Sequence, residues 1–282
     1  MKILKILIYT FILLFYSVEA NDKLMNFNFG LISDSINLYT QKDMKISMDI
    51  WMKEVTKDMG SVNMVIYNKP QEAVVDLKNG KIDYVSAFPI TFVKYFDISE
   101  LQGGFTGRFK DYNKNKFVIL IKKNQNIKTV KDLKNVKVGI QKDDEIMHIY
   151  TELNIQYSKI IDYSYRSKVL LDLFFSKIDV AIVPLSTFDL ATDLNPQIRQ
   201  RIEILKFTKF TSHSLGYYRK DIAKKDIDSI YNKGLKVFST PRGKQMMDIY
   251  KIETLVHTQV SELDNAKELY NKYKKLKGKK LK

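Results

Sequence analysis

The sequence predicts an α/β chain of two like-built lobes, each a mostly parallel sheet flanked by helices. Three observations carry this. Short apolar runs alternate with stretches of helical spacing, the grammar of β-α units. That grammar resets once, near residue 117, and starts again. And one small pattern, D-L-x-x-x-K-I-D, occurs twice, at Asp76–Asp83 and at Asp172–Asp179, each time followed by an apolar run closed by proline, Pro89 and Pro184.

In the first series, Met25–Ile32 alternates polar and apolar residues and reads as a strand. Asp43–Met59 places Ile46, Ile50, Trp51 and Val55 at helical spacing and stops at Gly60. Val62–Tyr67 is a second strand. Pro70 opens a helix that Asn79-Gly80 ends, and Ile82–Phe88 is a third strand. In the second series Phe117–Lys122 is a strand, and Thr129 caps a short turn over Val130–Leu133 with Asp132 near its positive end. Val136–Ile140 is a strand, Asp143–Leu153 a helix, Lys159–Tyr163 a short strand, Arg166–Phe175 a helix and Ile178–Val183 a buried strand. Leu215–Arg219 reads as one more strand. Helices follow at Asp226–Ser239, Lys244–Tyr250 and Val260–Lys275.

The 282 residues, 45% hydrophobic, are enough for a large core. Lys2 and Lys5 precede an apolar run, Ile6–Val18, that is short for a spanning helix and suits a signal core, with cleavage expected after Ala20 and an uncleaved anchor as the alternative. The sequence has no cysteine, so an exported chain would rely on packing alone and would carry no lipid-modified cysteine. A net charge of +15 raises nucleic-acid binding for a cytosolic protein. Here the lysines are scattered through an expected export product, and no nucleic-acid partner is expected. The one block, Asn271–Lys282, reads as a solvated end rather than a binding arm.

In open α/β sheets, ligands sit beyond the carboxyl ends of the strands. The repeat therefore makes Ser86–Pro89 and Val183–Ser186, Ser86, Phe88 and Pro184 among them, natural walls of one cleft between facing halves. Within the repeat, the aspartate of D-L is expected on the solvated side and the lysine at an exposed turn.

Phe117–Ile140, FVILIKKNQNIKTVKDLKNVKVGI, resembles the second-lobe entry of type II periplasmic solute-binding proteins, through Ile127-Lys128-Thr129, Asp132-Leu133-Lys134 and Lys137-Val138-Gly139-Ile140, with Asn135 in place of the usual glycine. Pro70–Thr91 is similar to the phosphate/phosphonate branch of ABC transporter substrate-binding proteins, through Gly80-Lys81-Ile82-Asp83 and Pro89, with Phe88 in place of glycine. The resemblance implies a signal peptide over 1–20, a discontinuous lobe one over 21–115 and 212–282, and lobe two over 116–211. Two crossover strands, near Lys114–Phe117 and Thr211–Leu215, would form the hinge. It implies a periplasmic monomer, not a lipoprotein, that closes on a small polar solute and is recognised by an inner-membrane ABC permease or a sensor kinase. It needs no cofactor. Candidate ligand contacts are Ser33 and Asp34 after the first strand, Tyr39 as a cover, Ser86 and Phe88 after the third, Gln141 and Lys142 after the lobe-two strand, Ser164 to Arg166 at a helix start, and Pro184.

One departure bears on the ligand. Gln141–Ile146, QKDDEI, puts three carboxylates where the phosphonate-binding members open a helix with hydroxyls. Carboxylates compete for helix N–H groups and repel an anion, unless Lys142 and Arg166 outweigh them. Asp34 with Arg166 would suit a zwitterion or an amine, and Arg166 with Lys142 an oxyanion. Two other classes remain. Tyr217-Tyr218 is similar to the paired tyrosines of ferric-ion carriers, although strand neighbours point to opposite faces, and His148, His213 and His257 lack metal spacing. An extracytoplasmic sensing partner of a signalling receptor shares the fold. An enzyme is not expected: the sequence has no cysteine nucleophile, no G-x-S-x-G and no phosphate loop, and Ser212-His213-Ser214 alone is not a triad.

Overall fold

The structure, a computed structural model, describes residues 26–32, 61–250 and 252–280. The expected signal segment and the helix expected over Asp43–Met59 lie outside them. In chain order the elements are β1 (Phe27–Ile32), β2 (Val62–Tyr67), α1 (Pro70–Lys78), β3 (Tyr84–Ala87), α2 (Pro89–Tyr95), β4 (Leu101–Gly103), β5 (Phe105–Arg108), β6 (Lys116–Lys122), β7 (Lys134–Gln141), α3 (Glu145–Asn154), β8 (Gln156–Tyr163), α4 (Arg166–Phe174), β9 (Val180–Pro184), α5 (Leu185–Leu194), α6 (Pro196–Arg201), β10 (Ile202–Thr211), β11 (Leu215–Arg219), α7 (Lys224–Phe238), α8 (Pro241–Tyr250), β12 (Thr254–His257) and α9 (Asp264–Lys280).

Two five-stranded sheets form, in the orders β2-β1-β3-β11-β4 and β10-β6-β9-β7-β8, and β5 pairs with β12. Read from opposite ends, the two orders match: a parallel trio (β2-β1-β3; β8-β7-β9), then an antiparallel neighbour (β11; β6), then an edge strand (β4; β10). The sheets are thus mixed, which corrects the mostly parallel expectation. The antiparallel strands come from the two passages of the chain between the sheets.

Side-chain alternation gives each sheet two covered faces. In the second sheet, Phe117, Ile119 and Ile121 of β6 pack with Val138, Ile140 and Ile182 under α3. Val118 and Leu120 face the other way, with Ala181 and Val183, under α4, α5 and α6. In the first sheet, Phe29, Met64, Tyr84 and Tyr218 lie under α7 and α8, while Ile32, Tyr67, Val85 and Tyr217 lie under α1 and α2.

The repeated pattern has one structure in both places. Tyr67 Oη donates to Asp76 Oδ2 at 2.9 Å, and Tyr163 Oη to Asp172 Oδ2 at 3.0 Å. Lys81 and Lys177 then pair with the other oxygen of each aspartate, at 3.0 and 3.5 Å. Gly80 and Ser176 turn the chain at φ 70° and 62°. Asp83 accepts from Asn28 N at 3.0 Å and Asp179 from Lys137 N at 2.7 Å, each fastening the next strand to its parallel neighbour. Where a Cβ would stand on Gly30, Ile82 Cδ1 is 2.6 Å away; on Gly139, Ile178 Cδ1 is 2.5 Å away. The D-L aspartates therefore face inward to a tyrosine, which corrects the expectation of a solvated side. Burial alone would raise the Asp172 carboxyl, but the Tyr163 phenol and the two lysines hold it below the usual range, while burial and the Asp172 carboxylate push the Tyr163 phenol up to about 12. Asn135, where the resembled family has glycine, sits at φ 54°, a left-handed turn that asparagine tolerates.

The chain passes between the sheets twice, through 109–115 and 212–214, and the passages run side by side. The Asn115 carbonyl accepts from Ser212 N at 2.8 Å and from Ser212 Oγ at 3.2 Å. Thr106 Oγ1 donates to the Ser214 carbonyl at 2.6 Å. His213, between them, packs edge-on against Tyr112, and both its ring nitrogens are buried without a partner. A third link is α9. Its lead-in is tied to the first sheet, where Tyr217 Oη donates to the Gln259 carbonyl at 3.1 Å, yet Ala266 and Leu269 pack into the core of the second. The expected solvated tail is thus helical to Lys280, with Lys277 Nζ 2.8 Å from Glu152.

Two outcomes follow from these contacts. Tyr163→Phe removes one charge-assisted hydrogen bond and should cost about 1.5 kcal/mol. Gly139→Ala, whose methyl would meet Ile178, Tyr163 and Val169 at 2.5 to 3.0 Å, should cost about 1–3 kcal/mol. Urea unfolding checks both, and unchanged midpoints would contradict the packing described. For His213, burial first and the nearby Arg108 second push the imidazole down from 6.5 to about 4. The unfolded chain then binds a proton that the folded chain refuses. Stability is unaffected above pH 6.5 and falls as pH drops toward 4, by at most about 3–4 kcal/mol at about 1.4 kcal/mol per unit. His213→Gln should flatten that limb in pH-dependent unfolding.

Candidate functional site

α2 and α3 begin at strand ends of different sheets, α2 just beyond β3 and α3 just beyond β7. Each start is set by local sequence. Pro89 fixes the first turn of α2 behind an extended Phe88, and the Gln141–Asp144 turn leads into α3. The two starts meet. Phe88, Pro89 and Ile90 line one side of a narrow space of about 10 Å³, Asp143 to Ile146 line the other, and Phe117, Thr211 and Ser212 form its floor beside the crossing segments. A wider cavity of about 190 Å³ shares Pro89, Ile146 and Thr211 with it and continues between Tyr112, Lys209, Phe210, Leu215, Glu262, Asn265 and Ala266. Together they form one cleft between the two sheets, pinched where α2 and α3 touch.

An ion pair spans the pinch: Lys94 Nζ on α2 lies 2.7 Å from Glu145 Oε1 on α3. Burial pulls the Lys94 ammonium down, but Glu145 outweighs it and keeps the group above its ordinary value. Behind the pinch, Asp144 is 4% exposed. Arg166, on the first turn of α4, takes it two-handed, Nη2 to Oδ1 at 2.6 Å and Nε to Oδ2 at 3.2 Å. The Arg166 guanidinium also lies 5.9 Å from the Phe117 ring. Burial nonetheless leaves the Asp144 carboxyl above its usual range, because the pull from Arg166 only partly offsets desolvation. At the wide end, Arg108 and Lys116 sit over the Tyr112 ring at 4.9 and 5.3 Å, and burial, then Glu262, raises the Tyr112 phenol.

The residues expected from sequence divide three ways. Ser33, Asp34 and Tyr39 lie outside the described residues. Phe88 lines the cleft, and Arg166 reaches its wall through Asp144. The rest do not line it. Ser86 is a half-buried β3 residue paired with Leu31 and Gly216. Gln141 is buried, its side-chain amide donating to the Ser164 carbonyl at 3.4 Å. Lys142 and Ser164 are exposed, and Pro184 is buried at the end of β9. Sequence reasoning missed Asp144 as the partner of Arg166, and Tyr112, Lys209, Thr211 and Glu262 as lining. The Asp144–Arg166 pair was within reach: β7 and β8 are parallel neighbours with Gln141 opposite Tyr163, and these residues lie three places beyond each.

Tyr217 and Tyr218 point to opposite faces, as strand geometry requires, and both are fully buried, with burial raising both phenols. Among the described residues no group of His, Asp and Glu side chains is placed to hold a metal ion, and no helix is long and apolar enough to cross a membrane.

Known proteins reproduce this architecture. A Xanthomonas citri protein bound to a chloride ion superposes with a TM-score of 0.60 at 11% identity, over 90% of this chain and 99% of that one. PhnD1 from Prochlorococcus marinus, in complex with methylphosphonate, gives 0.58 at 14%, over 89% and 98%. The binding-protein component of an ABC phosphonate transporter from Pseudomonas aeruginosa gives 0.55 at 11%, over 89% and 87%. At these identities the likeness establishes the type II periplasmic-binding fold. No curated protein matches the chain. Residues 38–263 match the family described as "ABC transporter, phosphonate, periplasmic substrate-binding protein", and the chain belongs to that family of transport components.

Proposed function

We propose that the chain captures a small polar solute in the cleft between its two sheets and delivers it to an inner-membrane ABC permease. The observation that carries this is the meeting of two helix starts from different sheets, α2 at Phe88-Pro89 and α3 at Asp144-Glu145, across a cleft bordered by both crossing segments. Helix N-termini at strand ends offer unpaired N–H groups to a solute. Side chains from both sheets are satisfied at once only when the sheets stand close, so a solute that touches both favours the closed arrangement. In this reading lobe one is 21–115 with 212–282, lobe two is 116–211, and 109–115 with 212–214 are the hinge. The narrow end, held by Lys94 and Glu145, would be the point of closure.

The family, and the methylphosphonate complex of PhnD1, make a phosphonate the first compound to test against the cleft. The cavity of about 190 Å³ is of a size for a molecule of a few heavy atoms. Export by a cleaved leader and action as a monomer without a lipid anchor complete the reading. It contains no catalytic step. Delivery to a sensor kinase is separable from transport, because only a permease partner makes the closed, loaded protein stimulate ATP hydrolysis.

The test is a thermal-shift screen of the mature protein against phosphonates, phosphate, amino acids and amines, followed by small-angle scattering with any hit. At a hundred times its dissociation constant a solute should add about 2.7 kcal/mol of stability, and the scattering radius should fall. A hit that leaves the radius unchanged, or persists when Phe88→Ala and Thr211→Ala are combined, would place binding elsewhere.

A further inference from the structure

Arg166 is the cation that sequence reasoning set beside Lys142 for an oxyanion or beside Asp34 for a zwitterion or an amine, and in the folded chain it is already engaged. Its two contacts to Asp144, 2.6 and 3.2 Å, have the parallel geometry with which arginine takes a carboxylate or a phosphate. Asp144 is not there as a helix cap. It stands at the N-cap position of α3, yet its side chain accepts from no first-turn N–H group. A carboxylate in that position, 4% exposed and turned onto an arginine instead of its own helix, is in a place that an N-cap side chain ordinarily leaves open.

The rest of the narrow end agrees. Lys94, the other cation at the pinch, is taken by Glu145 at 2.7 Å. Lys142 is exposed and does not line the space. In a chain of net charge +15, the described residues lining the cleft contribute Asp143, Asp144, Glu145 and Glu262 against Lys209. An incoming oxyanion would have to push Asp144 off Arg166, leaving a buried carboxylate unpaired, or settle as a second anion beside a neutralised pair. Both are unfavourable.

Resting on the cleft reading above, we propose that Asp144 is a tethered anion: it holds on Arg166 the place of a ligand's oxyanion and excludes phosphonate- and phosphate-like groups from the narrow end. The cleft is thereby left to solutes whose pole at that end is neutral or cationic. Asp144 is a specificity-determining residue, and the selection it makes runs against the anion that the family description names.

The experiment titrates methylphosphonate and inorganic phosphate calorimetrically into the wild-type protein, Asp144→Ser, Asp144→Asn and Asp144→Ser combined with Arg166→Gln, each checked for a cooperative thermal transition. Either single variant should bind at least one of the two anions about tenfold or more tighter than wild type, the lower end of what a charge-assisted contact supplies. The gain should vanish in the double variant. Asp144→Asn keeps the side-chain shape and carries the test if the serine variant does not fold. No gain in either single variant overturns the proposal, and so does tight binding of either anion by wild type that removing Asp144 fails to improve. That last result would leave the cleft reading intact. A screen in which no solute of any class binds wild type would sink the cleft reading, and the comparison of the variants with wild type would still decide the role of Asp144.

Discussion

The structure depends on one interaction used twice: a strand tyrosine donating its phenol proton to a helix aspartate that also holds a lysine from the next turn. Tyr67, Asp76 and Lys81 do this in one half, Tyr163, Asp172 and Lys177 in the other. The three groups come from a strand, the helix after it and the turn that starts the next strand, so each bond fixes the relation of two elements. The glycine on the neighbouring strand, Gly30 or Gly139, lets Ile82 or Ile178 close under the knot. The tyrosines are the last residues of β2 and β8, while Asp83 and Asp179 fasten the starts of β3 and β9 to the neighbouring strand. Each knot thus ties a helix to both ends of its parallel trio and helps to place the carboxyl ends of β3 and β7. Those ends are where the cleft forms.

How much of this was legible follows from the range of the interactions. The alternating pattern of β1, the capping residues Thr129 and Asp132, and the buried run of β6 are local, and all appear where the sequence places them. The eight-residue repeat was legible as a pattern, but its meaning was not. Tyr67 and Tyr163 stand nine residues before each aspartate, across a loop and a helix, so the aspartates looked like surface residues. β10 was missed altogether. Its ten residues mix lysine and threonine among the apolar positions, and it is an outer strand whose register against β6 is broken twice. α2 and α5 were missed because the pattern reads Pro89 and Pro184 only as closing a strand, whereas Pro89 is the first residue of α2 and Pro184, the last of β9, is also the N-cap of α5.

The candidate site was legible at Phe88 and Arg166 and hidden elsewhere for one electrostatic reason. Sequence gives the charges but not their partners. Arg166 reads as a free cation until parallel pairing brings Asp144 beside it, and only the approach of the sheets brings Glu145 to Lys94. A strongly basic chain thus acquires a cleft wall rich in carboxylates, and the overall charge says nothing about the sign of the field a solute meets there. The same blindness applies at Tyr112, Lys209 and Glu262, which come from three distant stretches.

The links between the sheets bear on how such a cleft could open. The two crossing segments, 109–115 and 212–214, are bonded side by side, and in the proposed reading bending falls there, where His213 is packed without a hydrogen-bond partner. α9 complicates this simple hinge. Its lead-in is pinned to the first sheet, with Thr258 Oγ1 donating to the Gly216 carbonyl and accepting from Gly104 N. Farther along, Ala266 and Leu269 share a core with Ile90 of α2 and Ile146 of α3, and Lys277 holds Glu152. α9 is thus packed on α2 of the first half and on α3 of the second alike. Parting the sheets must strip it from one of the two, and either route exposes Ala266 and Leu269 with part of the face they cover. Burial of that apolar area therefore favours the arrangement in which the two helix starts stay together, and α9 acts as a clasp across the cleft beside the two crossing segments.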